Sequence, residues 1–516
     1  MDGSLDPARL RGLALATLFP GFAGTTAPPP WLAGLIREGL GGVVLFGRNV
    51  DPRRGDEGVF ALTERLRSER DDLLVAIDEE GGDVTRLDAT TGSDLPGSAA
   101  LGAVDDPALT RQVAASLGAR LRACGIDVNF APVADIDVDP LNPIVGVRAF
   151  GADPRLVARQ VAAFVAGQQS WRVAATAKHF PGHGATDEDS HVTVPTVSTP
   201  ADVLHRRELD PFRAAVAAGV KIVMTAHIKV TAVDPDTPAT LSRAVITGLL
   251  RDELGFDGVV MTDGMDMHAI SRTVGHAEAG VQALLAGVDA LCVGGESTDA
   301  ATVERIAAAV VAAVRSGRLP HDRLDEAATR VRSLARWTRR APVFPGSGRG
   351  VPPGVEAARR AVVAVGDVAL GAAPVVIELH DEPSVAAGDV PWGIGGPLAR
   401  RLPGTVVVRL NRTGPDPASV LAEHDGRPVV VSVRGVRRRA WQAAVVAAIR
   451  ETHPDLVVVD HDLPADPTVL GHRYVLAFGA ARVTAEAAAD LLAAGTAVSD
   501  TEWTPGSGSS VPPVSA

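Results

Sequence analysis

The sequence predicts an α/β protein with an N-terminal (β/α)8 barrel of the TIM type, followed by a smaller three-layer α/β domain. The chain has 516 residues, which is more than one hydrophobic core usually supports. Short runs of β-branched apolar residues alternate with Ala-, Leu- and Arg-rich stretches of helical period, as is typical of parallel βα units. A stretch rich in Pro and Gly at residues 341–355 interrupts this alternation and predicts a linker.

Eight apolar runs within residues 1–340 account for the predicted catalytic barrel. Barrel strands are buried on both faces, so near-continuous apolar runs are expected of them. The runs are LALATLF from Leu13, GVVLF from Gly42, LLVAID from Leu73, VNFAP from Val128, VAATAKHF from Val173, KIVMTAH from Lys221, GVVMTD from Gly258 and ALCVG from Ala290.

The predicted second domain covers residues 356–496. Ala-rich segments of helical period separate its apolar runs, which indicates helices on both faces of a sheet. The runs are VVVRL from Val406, PVVVSV from Pro428, LVVVD from Leu456 and YVLAF from Tyr474. Residues 497–516, rich in Gly, Ser and Pro, are expected to form a disordered tail.

The charge and composition exclude several classes of partner. A formal net charge of −12 argues against nucleic acid and anionic membranes, because both attract a positive face. The first residues, MDGSLDPARL, lack a basic segment followed by an apolar one, and no apolar run reaches the length of a membrane span. A cytoplasmic protein is therefore expected. Cys124 and Cys292 lie in apolar segments, which favours neither a disulfide framework nor a thiolate metal site.

Polar residues close four of the predicted barrel strands, and chemistry in such barrels collects at the carboxyl ends of the strands. A single residue of this kind is equally well explained as a cap of a strand or helix. Several on one face of a barrel instead indicate a functional site. The residues are Asp78, Lys178, His179, His227 and Asp263.

The segment KHFPGHGATDEDSH, residues 178–191, has the densest set of titratable groups in the chain. Its Pro and Gly residues disfavour a helix in the first half. Asp189 and His191 are two positions apart, so they face each other only in a turned conformation. In that conformation Asp189 would fix the imidazole tautomer and favour its protonated form. His183 is expected to brace the loop through a hydrogen bond.

Two of these groups suit the hydrolysis of a β-glycoside with retention, which needs a nucleophilic carboxylate and an acid/base group across the scissile bond. Asp263 ends a buried strand and is followed by Gly264, where the backbone can turn sharply. A histidine oriented by a carboxylate can donate and accept protons near neutral pH, so His191 suits the acid/base role.

Together these segments resemble glycoside hydrolase family 3, and within it the bacterial β-N-acetylglucosaminidase branch. The resemblance rests on seven motifs in order along the predicted barrel. They are GGVVLFGRN near Gly41, AIDEEGGDVTRL from Ala76, FAPVADI from Phe130, VGVRAFGADP from Val145, AKHFPGHGATDEDSH from Ala177, VMTAHI from Val223 and GFDGVVMTDGMDM from Gly255.

The resemblance implies a retaining, exo-acting enzyme that removes terminal β-linked N-acetylglucosamine from a small carbohydrate substrate, with no metal or organic cofactor. It assigns Asp263 as nucleophile and Asp189 with His191 as the acid/base dyad. It further assigns four residues to the hydroxyls of the bound sugar, namely Asp78, Arg148, Lys178 and His179.

The chain departs from the family pattern at three positions. Asp83 replaces a residue that is usually basic, Glu79 one that is usually Gln, and Gly264 one that is commonly acidic. The extra acid leaves the preference for the aglycone open, above all for anionic muropeptides. The change at Gly264 is expected to alter the hydrogen bonds of the nucleophile and to leave its role intact.

Three other functions stay open on the sequence. A glycosyl-enzyme intercepted by phosphate would make the protein a β-N-acetylglucosaminide phosphorylase, since a neutral histidine repels phosphate less than a carboxylate does. A metallohydrolase could take its ligands from His179, His183, Asp189 and His191, although no H-x-H motif closes the early strands. A catalytically silent sugar-binding protein would show affinity without turnover.

Overall fold

A computed structural model describes residues 6–186, 194–267, 274–295, 298–340, 351–382 and 386–494. The described residues form two compact units. The first unit draws on the segments Met1–Glu80, Thr110–Pro143 and Val157–Gly348, and the second on Gly81–Leu109, Ile144–Leu156 and Arg349–Ala516. Two early segments of the chain thus group with its C-terminal part. Residues 341–350 and 495–516 lie outside the described residues, so the predicted linker, tail and domain bounds stay predictions.

The first unit is built around a closed barrel of eight parallel strands. Six of them form one continuous sheet, in the order β2-β3-β4-β5-β7-β9, and β1 pairs with β10. Backbone bridges between Gly21 and Val44 and between Met261 and Ala290 close the ring. The strands are β1 Leu18–Pro20, β2 Gly42–Leu45, β3 Leu74–Ile77, β4 Val128–Asn129, β5 Ala174–Phe180, β7 Ile222–Thr225, β9 Val259–Thr262 and β10 Leu291–Val293, and a separate short pair is β6 Thr196–Val197 with β8 Lys229–Val230.

All eight predicted barrel strands are present, but the first is shorter than its apolar run. Leu13 belongs to the helix Pro7–Ala16, and only the end of the run forms β1. The helix begins there because Asp6 caps it, accepting a hydrogen bond from the backbone N–H of Arg9 at 3.1 Å, and because proline is well suited to the first helical position.

Helices surround the barrel, and its interior is a packed apolar core. Alternate residues of the strands, such as Leu74 and Ala76 on β3, form one buried cluster with side chains of the last helix of the unit. The helices are Pro7–Ala16, Pro30–Glu38, Gly55–Arg67, Pro107–Ala123, Pro154–Gln169, Ala201–Val203 continued by Leu204–Glu208, Asp210–Ala217, Ala244–Glu253, His276–Ala286, Ala300–Arg315 and His321–Thr338.

The second unit is a six-stranded sheet with helices on both faces, as the sequence predicts. The strand order is β11-β16-β15-β14-β12-β13, with β11 antiparallel to β16 and the other pairs parallel. Two separate apolar clusters cover the two faces of the sheet. The strands are β11 Val363–Val365, β12 Val375–Leu379, β13 Val406–Leu410, β14 Val429–Val433, β15 Val457–Asp460 and β16 Tyr474–Leu476, and the helices are Ser98–Val104, Pro353–Ala361, Gly395–Arg401, Pro417–Ala422, Ala440–Thr452, Pro467–Leu470 and Arg482–Ala494.

Among the helices of the described residues, none combines the length and apolar character that a membrane crossing requires.

Candidate active site

The carboxyl ends of the barrel strands carry the polar residues that the sequence analysis singled out. Asp78 follows β3, and Lys178 and His179 lie in the last three positions of β5. His227 lies two residues beyond β7, and Asp263 directly follows β9. Because the strands of the barrel are parallel, these side chains share one end of it.

Lys178 is held between two carboxylates at this end of the barrel. Its Nζ atom lies 2.7 Å from Asp78 Oδ1 and 2.7 Å from Glu80 Oε1, and its side chain is only 3% exposed. Glu80 was not among the predicted site residues, although its place two positions after Asp78 in the AIDEEGG motif was a usable signal. Ammonium protons and carboxylate oxygens together can donate to and accept from sugar hydroxyls.

His179 is oriented by Asp135, a fully buried residue that the sequence analysis also missed. Asp135 Oδ2 lies 2.7 Å from His179 Nδ1. Its Oδ1 accepts hydrogen bonds from the backbone N–H groups of His179 and His183, at 3.2 and 2.7 Å. Burial opposes the charged form of Asp135, but the charge of His179 and these hydrogen bonds outweigh it, so the pKa of Asp135 is lowered. This pairing leaves His179 Nε2 as the ring nitrogen that can meet a substrate.

His183 braces the loop after β5, as expected. Its Nδ1 lies 3.1 Å from Thr186 Oγ1, and its backbone carbonyl accepts a hydrogen bond from Asn142 Nδ2 at 3.0 Å. Burial lowers the pKa of His183 to about 4, despite the nearby charge of Asp135. The imidazole is therefore neutral near pH 7 and serves the structure of the loop. Asp189 and His191, six and eight residues after His183, lie outside the described residues.

Asp263 is partly exposed and its carboxylate is fixed by its own turn. Its Oδ1 accepts a hydrogen bond from the backbone N–H of Gly264 at 2.7 Å. His227, which is fully buried, contacts the carbonyl of Gly264 through Nε2 at 3.0 Å and Thr240 Oγ1 through Nδ1 at 2.8 Å. His227 is thus a buried residue that supports the turn carrying Asp263.

The turn after β9 carries a second carboxylate two residues beyond Gly264. A Cβ atom at position 264 would come within 2.9 Å of Asp266 Oδ1, so a larger residue there would require the Asp266 side chain to shift. Asp266 was not singled out by the sequence analysis.

Cys292 is the middle residue of β10. Burial raises the pKa of its thiol well above the usual value, and the charges of Asp263, Asp266 and Asp78 raise it further. The charge of Asp263 also acts on His183. These influences are expected of groups that follow strands β3, β5 and β9 at one end of the barrel.

Arg148 belongs to the second unit and lies in the single helical turn Gly146–Arg148. One of its guanidinium nitrogens donates to the carbonyl of Ile144 at 3.1 Å. Its assignment to sugar binding stays a prediction.

Within the described part of the chain, no group of three His, Cys, Asp or Glu side chains is placed to hold a metal ion. His179 and His183, two of the four ligands of the metallohydrolase alternative, are instead tied to Asp135 and Thr186.

Comparison with known proteins connects this geometry to one family. The model of the "Glycosyl hydrolase family 3 N terminal domain" matches residues 33–334. The chain is 33% identical over 337 residues to beta-hexosaminidase A of Pseudoalteromonas piscicida, covering 60% of this chain and 56% of that protein. It is 35% identical over 316 residues to the beta-hexosaminidase of Nitrosomonas eutropha, covering 60% of this chain and 89% of that protein.

A solved structure matches nearly the whole chain. It is a glycoside hydrolase family 3 beta-N-acetylglucosaminidase from a Paenibacillus species, with a TM-score of 0.84 and 33% identity, and the match covers 95% of this chain and 97% of that one. The family model spans more than half of the sequence, and the matched residues include the strand ends described above. The chain therefore belongs to glycosyl hydrolase family 3.

Proposed function

We propose that this protein is a retaining, exo-acting β-N-acetylglucosaminidase that hydrolyses terminal β-linked N-acetylglucosamine. The observation that carries the proposal is the partly exposed carboxylate of Asp263 at the end of β9, at the same end of the barrel as the ion-paired group of Asp78, Lys178 and Glu80. The names of the similar beta-hexosaminidases and of the Paenibacillus enzyme support the choice of sugar.

In the proposed mechanism Asp263 attacks the anomeric carbon and forms a covalent glycosyl-enzyme. The hydrogen bond from the Gly264 backbone N–H orients the carboxylate for this attack. The Asp189–His191 dyad protonates the leaving oxygen, and the same imidazole then takes a proton from the water that releases the sugar. The sugar leaves with the anomeric configuration that it had in the substrate.

The sugar hydroxyls are assigned to Asp78, Arg148, Lys178 and His179. Lys178 is shared between Asp78 and Glu80, so two charged partners set the orientation of its ammonium group before substrate binds. Asp135 holds the His179 ring in one orientation. Groups oriented in advance lower the entropy that substrate binding must overcome.

The test is the release of nitrophenol from its β-N-acetylglucosaminide by the purified protein, with and without inorganic phosphate, and identification of the sugar product. Free N-acetylglucosamine at a rate independent of phosphate is the expected result. Acceleration by phosphate with release of the sugar 1-phosphate would instead identify a phosphorylase. Binding without turnover would contradict the proposal and support a sugar-binding protein.

We also propose that residues 1–340 contain the catalytic machinery and that residues 356–496 form an accompanying domain. The cytoplasmic location stays a prediction from the sequence.

A further inference from the structure

The chain turns sharply directly after the carboxylates that hold Lys178. Gly81 and Gly82 follow Glu80, and their φ angles are +80° and +64°. The backbone N–H of Gly82 donates to the carbonyl of Leu95 at 2.9 Å. A Cβ atom on Gly82 would come within 2.5 Å of Gly97 Cα, so only glycine fits at this position.

The turn is held tightly, because Gly82 bonds to Leu95 and packs against Gly97, and a backbone bridge joins Gly81 to Val84. A displacement of the residues that follow the turn is therefore passed back along it. The start of the segment is fixed at Glu79, whose backbone N–H and carbonyl bond to the Asn129 side chain at 2.9 and 2.8 Å. The position of Glu80 therefore depends on how the residues after Gly82 are held.

Asp83, the first residue after the turn, is held in place through both of its carboxylate oxygens. Its Oδ2 lies 2.5 Å from a guanidinium nitrogen of Arg434, and its Oδ1 accepts a hydrogen bond from the backbone N–H of Ala480 at 2.7 Å. The side chain of Asp83 is 6% exposed and that of Arg434 is 20% exposed. Asp83, Arg434 and Ala480 all belong to the second unit.

This pairing gives a structural meaning to the departure from the family pattern at position 83. The charge of Asp83 is buried and neutralised by Arg434, so it is not an additional negative charge offered to solvent. A buried carboxylate of this kind is strongly destabilised when its partner is removed. Arg434 is itself seated over the Trp392 ring, with its central carbon 5.6 Å from the ring centroid.

We propose that Asp83 and Arg434 are positioning residues for sugar binding, acting through the Gly81–Gly82 turn on the group of Asp78, Glu80 and Lys178. This gives the C-terminal part of the chain a role in the reaction, because β14 ends directly before Arg434. The inference rests on the proposed function, since it concerns the residues assigned there to the sugar.

The inference is tested with the variants Asp83→Asn and Arg434→Gln and with the double variant. Asp83→Asn keeps an acceptor for the Ala480 N–H but removes the charge. Each single variant is expected to raise KM for the aryl N-acetylglucosaminide by about tenfold with a smaller change in kcat, since small displacements of binding groups are costly. The double variant should show the rise of one single variant and not the product of two, because both disrupt the same interaction.

A matched control comes from the same loop. Asp94 forms an ion pair with Arg482, and both side chains are well exposed, at 57% and 40%. An exposed pair contributes little, so Asp94→Asn should leave KM unchanged. An equal rise of KM in Asp94→Asn would overturn the assignment, because it would indicate general loosening of the loop. Unchanged KM in folded Asp83→Asn protein would overturn it as well.

Hydrogen exchange of the segment 80–95 separates this inference from the proposed function. Faster exchange in Asp83→Asn and in Arg434→Gln, and not in Asp94→Asn, is expected whatever glycoside the enzyme accepts. If the wild-type protein fails to turn over N-acetylglucosaminides, the proposed substrate is wrong, and the exchange result still decides whether Asp83 anchors the turn. Equal exchange rates in the wild type and in all three single variants would show that Asp83 does not hold the turn.

Discussion

At the scale of single residues, Asp263 combines exposure with fixed orientation. Its Oδ1 accepts a hydrogen bond from the Gly264 N–H, and the residue is partly exposed. Asp263→Ala should therefore lower kcat on the aryl N-acetylglucosaminide by at least about 10³-fold, as expected for the loss of a covalent nucleophile. Steady-state kinetics would measure the loss of kcat. A circular dichroism spectrum that matches the wild type would show that the variant is folded. Activity within a few-fold of wild type would exclude Asp263 as nucleophile.

His191 can be tested through the leaving group, although it lies outside the described residues. Acid assistance matters less when the leaving group is already stable as an anion. His191→Ala should therefore slow substrates with poor leaving groups by about 10²-fold or more and activated aryl substrates much less. Rates over a series of phenols of different pKa provide the measurement. Equal losses across the series would point to a structural role for His191.

A substitution of Asp135 tests whether this buried carboxylate orients His179, which we propose binds the sugar. In Asp135→Asn one amide oxygen can still accept the two backbone N–H groups, but the partner of His179 Nδ1 is changed. We expect kcat/KM to fall by roughly 10- to 100-fold, the scale of a modest misplacement. Asp299→Asn is the matched control, because Asp299 is an exposed helix cap and asparagine caps helices equally well.

The candidate site residues that end strands were predicted from the sequence, whereas the residues that contact and support them in the structure were not. Asp78, Lys178 and Asp263 stand out because a charge closes an apolar run, which is a local signal. Asp135 pairs with His179 over 44 positions along the chain, and Glu80 pairs with Lys178 over 98. Such pairings depend on the tertiary fold, which a single sequence does not encode at short range.

At the scale of elements, the eight barrel strands and β13 to β16 were predicted, whereas β11, β12 and the short pair of β6 and β8 were not. β12 contains Glu378, which is buried and accepts hydrogen bonds from the Gly395 N–H and from Arg409. These partners come from other segments of the chain, so the burial of Glu378 could not be inferred from the run itself. β11 has three residues at the edge of the sheet and lacks a strong pattern.

The loop after β5 is shaped by close backbone packing as well as by hydrogen bonds. A Cβ atom at Gly184 would come within 1.7 Å of the carbonyl oxygen of Ile136, which no small adjustment relieves. Gly184→Ala should displace the loop and lower kcat/KM by about 10²-fold. Kinetics and thermal unfolding would measure the effect, and wild-type kcat/KM would contradict it.

Gly34→Ala is the control for that substitution. Gly34 lies in the helix Pro30–Glu38, and a Cβ atom there meets nothing within 4 Å. Alanine is a better helix former than glycine, so this variant should be more stable by about 0.5–1 kcal/mol with unchanged kinetics.

At the scale of the whole molecule, the division into units is less simple than the order of motifs along the chain. Residues 81–109 and 144–156 lie between barrel strands in sequence but group with the C-terminal sheet. Apolar periodicity predicts where helices and strands lie in the sequence. It does not predict in which hydrophobic core each of them packs. The Asp83–Arg434 ion pair, which spans 351 positions, is an example of the contacts that decide this grouping.

Buried histidines make stability depend on pH in both units. Burial lowers the pKa of His183 in the first unit and of His461 in the second to about 4. An unfolded histidine has a pKa of about 6.5. Between about pH 6.5 and pH 4 the unfolded chain therefore binds more protons than the folded one, so acidification over this window favours unfolding. The slope is at most about 1.4 kcal/mol per pH unit for each histidine.

His461 is the sharper test, because it is fully buried and this burial is the largest cause of its lowered pKa. His461→Leu should reduce the loss of stability of the second unit between pH 7 and pH 5, since the variant has no proton to bind in the unfolded state. Denaturation midpoints at the two pH values measure the change. His472→Leu, which alters an exposed histidine, should retain the wild-type loss. If His461→Leu loses as much stability as wild type on acidification, the buried imidazole is not the source of the pH dependence.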